Sequence, residues 1–281
     1  MTNSDANKAN ITIPVDLTNP GQFFACCGLL ELADRLWPAA DVIGRFSAPR
    51  FQRSLFCVSA RVRFDSSDLV KVLINCERTA VEPYQPIRGS DGKPVKDAKK
   101  TKPVLLRHSD ISGAVKFCLR LAWWLDELAG TQTRFKTWSA HHSAEGLIAS
   151  VSSQVKGDEI TNENVLQQRV GMTSRLGLDP RSSWNTLDTG FSPNDQQLPV
   201  DTYPATELLA TIGLETFRPS LTDDGYVYAI WSSPLPLIVA RAAASGNLNI
   251  QGITRYCFEV ASRGKFKYFT KASLLERRIR G

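Results

Sequence analysis

The chain has 281 residues, 42% of them hydrophobic and 22% charged, with six Trp, thirteen Phe and a net charge of +6. This apolar supply excludes a disordered chain and suffices for one large domain or two small ones. No run of eighteen apolar residues is available to span a membrane. The polar residues 1–10 lack the basic-then-apolar order of a signal peptide, so the expectation is a soluble, cytoplasmic protein. The six cysteines form no Cys-x-x-Cys pair and no Cys/His cluster at zinc spacing. They read as small buried hydrophobes of a reducing compartment, with no metal and no cofactor.

The positive charge is segregated. From Pro86 to Arg120 nine Lys/Arg face three Asp, and from Arg255 to Gly281 eight face two Glu. Each segment is therefore +6, and the rest of the chain is −6. Positive charge concentrated in this way steers polyanions and releases their counterions.

In chain order, Ile11–Leu17 reads as a short strand whose proline suits an edge or end. Asn19 can cap a helix that runs to about Trp37, where Pro38 stops it. Apolar residues fill more than one face of that helix, so it should be largely buried, with Glu31, Asp34 and Arg35 on its wet side. Gly28 would admit a neighbouring backbone. Phe46 and the run Leu55–Phe64 read as strands, and Ser67–Cys76 as a short helix. The expected class is α+β: an N-terminal β-α-β-β-α sheet module, a helical section and a small C-terminal antiparallel sheet. The division expected is residues 1–103 as a first region ending in a basic loop and residues 104–281 as a helix-rich second region, or one continuous domain with the first. Fold pattern alone assigns no function.

Residues 82–102 are rich in Pro, Gly and Lys and read as a loop. A strand at Val104–Arg107 should enter a helix over Ser112–Leu128, with Trp123 and Trp124 as core or interface. Further helices are expected at Ala144–Val155, Glu163–Val170, Pro204–Phe217 (capped by Thr202) and Leu274–Arg280, with a loop over Ser174–Pro199. Strands are expected at Tyr226–Trp231, Tyr256–Ser262 and Phe266–Phe269, while Leu237–Ala244 fits either state. No internal repeat is visible.

No Walker loop, dinucleotide fingerprint or Gly-x-Ser-x-Gly elbow occurs, nor a carboxylate pair suited to two metals. Of three histidines, only the adjacent His141 and His142 suggest general acid/base work, and no companion base is evident. Basic residues beside aromatic or small turn residues point instead to single-stranded nucleic acid, held by phosphate contact and base stacking. The candidate binding residues are Lys93, Lys96, Lys99, Lys100, Lys102, Arg107, Lys136, Arg175, Arg181, Trp184, Lys265, Lys267, Arg277 and Arg278. Arg181 can equally be a structural residue paired to Asp179 or Asp188.

Four segments carry a family resemblance: Ile13–Asp34 (IPVDLTNPGQFFACCGLLELAD), Phe135–Trp138 (FKTW), Gly177–Asp195 (GLDPRSSWNTLDTGFSPND) and Tyr203–Leu214 (YPATELLATIGL). In this order they resemble the Csb-type accessory subunits, the third of the Csb names, of type I-G (formerly I-U) CRISPR systems. The resemblance implies a non-catalytic subunit of a crRNA-guided antiviral effector complex, with crRNA or target DNA and other effector subunits as partners and no membrane. Two other readings stand beside it: a crRNA-processing endoribonuclease using His141 or His142, and a structural subunit docking on an acidic partner protein.

Overall fold

A computed structural model describes residues 9–48, 52–88, 92–93, 101–139, 142–183, 198–246, 248, 250–263 and 266–275. The fold is α+β. Five α-helices of the described residues, α1 (Pro20–Leu36), α2 (Ser66–Ile74), α3 (Ala144–Ser153), α4 (Pro204–Thr216) and α5 (Leu237–Ala244), pack among small antiparallel sheets.

The first sheet orders its strands Ile11–Pro14, Leu55–Ser59, Ile43–Ser47 and Leu235–Pro236. A second joins Ser220–Thr222, Gly225–Trp231, Ile253–Phe258 and Ser273–Leu274, and a third Glu77–Ala80, Val104–Ser109 and Val115–Leu121. The third sheet pairs Ala80 with Val104, and the first takes its last strand from residues 235–236. Strand pairing thus crosses residue 103, and one hydrophobic core cluster runs from Ile11 to Ala272.

Helix α1 is the centre of that core. The Asn19 side chain accepts from the Gln22 N–H at 3.1 Å, and Pro20 stands at the first helical position, where its missing N–H is harmless. Every residue from Pro20 to Ala33 is buried. Helix α4 packs directly on α1, as close as glycine allows. A methyl group at Gly28 would overlap the Leu209 carbonyl oxygen, and one at Gly213 the Phe24 carbonyl oxygen.

Several expectations need correction. Glu31 is not on a wet side but fully buried, because Arg35 (2.5 Å) and Arg241 (2.6 Å) both reach its carboxylate. The helix expected over residues 112–128 is instead a hairpin arm. Phe117, Leu119 and Leu121 are buried in alternation with Lys116 and Cys118, the period of two of a half-exposed strand. Asp110 builds its turn, accepting from the Ser112 and Ala114 N–H groups at 2.9 and 3.0 Å. Residues 163–170 form turns rather than an α-helix, with main-chain bonds of mixed span, Gln167 N–H to the Asn164 carbonyl at 2.7 Å and Gln168 N–H to the same carbonyl at 3.0 Å. Thr202 does not cap α4, since its hydroxyl donates to the Val170 carbonyl and Tyr203 holds the cap position. Ser273–Leu274 is a strand, the rest of the expected C-terminal helix lies outside the described residues except Leu275, and Leu237–Ala244 resolves as helix. Cys118 is exposed rather than buried. Among the described residues, no helix is long and apolar enough to cross a membrane.

Candidate nucleic-acid interface

Three segments remote in sequence meet at the strand Phe266–Phe269. One edge of this strand pairs with Val260–Arg263. Along the other, the Lys267 N–H donates to the Thr137 carbonyl at 2.9 Å and the Phe269 N–H to the Gly177 carbonyl at 3.0 Å. The Thr137 hydroxyl closes the triangle by donating to the Leu176 carbonyl. Gly177 has φ +74°, and a Cβ there would stand 2.9 Å from the Lys267 carbonyl oxygen, so the junction requires glycine on both counts.

Glu207, inside α4, anchors the junction. Its carboxylate is buried and accepts three backbone N–H groups, from Leu176 (2.7 Å), Gly177 (2.9 Å) and Leu178 (3.2 Å). Burial pushes its pKa up and the Asp179 charge adds to the rise, while the backbone donors and the Arg175 cation pull it down. One step along, buried Asp179 accepts from the Asn19 side chain at 2.8 Å, so the cap of α1 and the 176–181 segment hold each other. Gly21 makes room for that contact, since a Cβ there would come 2.6 Å from the Leu178 carbonyl.

Beside this junction opens a cavity of about 400 Å³. Its lining includes Arg175, Lys267 and His142, the aromatic residues Trp138, Phe266 and Tyr268, and the small polar residues Thr173, Ser174 and Ser183. No Asp or Glu lines it among the described residues. The edge-to-face cluster of Trp123, Trp124 and Trp138, with centroids 5.0–5.7 Å apart, fixes the Trp138 ring. The concavity thus combines positive charge, flat rings and hydrogen-bonding hydroxyls. Among the described residues no group of three or more His, Cys, Asp or Glu is placed to hold a metal ion.

Of the sequence candidates, Arg175 and Lys267 meet here, together with His142. Lys136 is next to the site but is not part of the lining. Arg181 is committed to the fold: its guanidinium contacts Asp179 (2.6 Å), the Leu166 carbonyl (2.8 Å) and Gln167 (2.9 Å), and lies 3.4 Å from the Tyr203 ring centroid. That is the structural reading of this residue. Lys93 and Arg107 are exposed elsewhere, Arg107 on the third sheet opposite Glu77. Lys102 is ion-paired to Glu82, and the same segment's Lys116 and Arg120 to Asp110 and Glu127, so part of its charge is neutralised locally. Lys96, Lys99, Lys100, His141, Trp184, Lys265, Arg277 and Arg278 lie outside the described residues.

Sequence reasoning overlooked Tyr268 and Glu207. For Tyr268 the signal was there, in the alternating Lys265-Phe266-Lys267-Tyr268-Phe269. For Glu207 it was a lone carboxylate within an apolar helix. No family model matches the chain, and neither does any curated protein or solved structure.

Proposed function

We propose that the protein is a non-catalytic nucleic-acid-binding subunit of a crRNA-guided type I antiviral effector complex, contacting guide RNA or target DNA. The observation that carries the nucleic-acid part is the cavity where Arg175 and Lys267 stand beside Trp138, Phe266 and Tyr268, with no Asp or Glu among the described residues of its lining. Cations for phosphate together with rings for bases are what single-strand recognition uses. The effector-complex part rests on the sequence resemblance of the four segments.

The test is titration of labelled single-stranded RNA and DNA in magnesium-free buffer at several salt concentrations. Binding that weakens steeply with salt and leaves the strand intact is the expected result. A discrete cleavage product, lost on replacing His141 and His142 by Ala, would replace this reading with the processing endoribonuclease. Absence of binding, with capture of an acidic partner subunit instead, would replace it with the docking role.

A further inference from the structure

We infer that the cavity beside Arg175 and Lys267 takes a single unstacked nucleotide of a single strand, a closer definition of the site that rests on the nucleic-acid reading above. Backbone contact alone needs only a positively charged groove along the strand. Here the charge borders a recess of about 400 Å³, within the range of about 300–1,000 Å³ typical of small-ligand pockets. A duplex cannot place a base in such a recess without extruding it, whereas a single strand has bases free to turn in.

The chemistry of the lining divides in the same way. Arg175 and Lys267 supply positive charge, and the described residues of the lining include no Asp or Glu, which suits a phosphate diester. Tyr268, Phe266 and Trp138 supply ring surface for the base. Rigidity comes from below: the three N–H bonds to Glu207 fix the backbone at residues 176–178, immediately after Arg175, and the strand bonds to Thr137 and Gly177 fix the backbone at Lys267. A recess whose walls are held by main-chain bonds is formed before the ligand arrives, which lowers the ordering cost of binding.

The experiment uses the full chain and four probes: a ribonucleoside monophosphate, its deoxy counterpart, a twelve-nucleotide single strand and the matching duplex. One monophosphate should bind at a single site and compete with the single strand, and the ribo and deoxy arms show which sugar is preferred. Lys267→Ala should weaken monophosphate binding at least tenfold, and because the fold uses Lys267 through its main-chain N–H, the variant keeps that bond. Ser174→Trp, which fills the recess, should abolish monophosphate binding. Single-strand binding with no monophosphate binding, and no effect of either variant, would overturn the inference while leaving the nucleic-acid reading in place. Equal affinity for duplex and single strand would overturn it as well. If none of the four probes bound, the nucleic-acid reading itself would fail.

Discussion

Gly28 of α1 and Gly213 of α4 occupy each other's groove reciprocally: each covers the carbonyl of the residue four positions before the other, Leu209 and Phe24 respectively. The backbone nitrogen of each also lies 3.0–3.3 Å from where the other's Cβ would stand. The local sequences correspond, Phe23-Phe24-Ala25-Cys26-Cys27-Gly28-Leu29 matching Leu208-Leu209-Ala210-Thr211-Ile212-Gly213-Leu214 in both Gly and Ala positions and in the final Leu. Each helix begins with a proline and is followed by strands and a shorter helix, with two strands after α1 and three after α4. The helix pair therefore has a local two-fold relationship at its crossing.

Replacing either glycine by alanine forces the helices apart, because the obstacle is a backbone carbonyl and not a movable side-chain end. Overpacking a dense core costs typically about 1–3 kcal/mol, and these two positions belong at the top of that range. Urea unfolding of Gly28→Ala and Gly213→Ala should show lower midpoints with unchanged slopes. A midpoint equal to wild type in either variant would mean that the helices can separate freely, contrary to this packing.

The Glu207 carboxylate gives a prediction with a pH sign. Its folded pKa is raised above the ordinary 4.5, chiefly by burial, so the folded state holds a proton that the unfolded state releases. Stability from this group is then greatest below pH 4.5 and declines as pH rises through the raised value. Glu207→Gln removes that slope. It also turns an amide N–H toward one of the three donors from Leu176, Gly177 and Leu178, and an unsatisfied buried donor costs about 1–3 kcal/mol. Unfolding free energies of the two proteins between pH 4 and 8 should therefore be separated most at low pH and converge as pH rises. A constant gap would show that Glu207 does not titrate in this window.

Much of the core was legible because its signals are local. Asn19-Pro20 marks a helix start in any context, and the all-round apolar surface of α1 can only mean burial. The short helix α2 carries its own capping box, Asp65 with Asp68. The Val115–Leu121 strand was misread because its apolar positions fit either period until Val104–Ser109 supplies a pairing partner. Arg175 and Lys267 could be singled out as basic residues near aromatics, yet nothing local told them apart from Arg181, which is equally basic and equally close to a ring. The difference is made by Asp179, Gln167 and Leu166, two of which lie about fifteen residues away in the chain. Likewise the exposure expected of Glu31 failed through Arg241, 210 positions distant.

Arg241 consequently becomes a test of how the α1–α5 contact is held. Its Nη2 lies 2.6 Å from both Glu31 oxygens and its Nε 3.1 Å from one, while the carboxylate itself is fully buried. Arg241→Ala leaves that carboxylate with Arg35 alone. Removing one partner of a buried pair costs about 3–5 kcal/mol, and the partial exposure of Arg241 and the remaining Arg35 place this case near about 3 kcal/mol. Arg241→Lys, which cannot reproduce the forked contact, should recover only part of the loss in thermal or urea unfolding. Full recovery by lysine would show that charge alone, without the fork, satisfies Glu31.

The basic segment of residues 93–102 supplies the last prediction, and the ion pairs of the fold set its size. Lys96, Lys99, Lys100 and Lys102 all carry charge, but Lys102 already neutralises Glu82, so at most three of the four remain for phosphate. For a single strand the slope of log K against log salt is about −0.7 per phosphate neutralised. Replacing all four lysines by Gln should then flatten that slope by about two units, and restoring Lys102 alone should not steepen it again. The melting temperature should change little, because the exposed Lys102–Glu82 pair is worth about 0–1 kcal/mol. A slope unchanged in the fourfold variant would assign the salt dependence elsewhere on the molecule, with Arg175 and Lys267 the first positions to substitute.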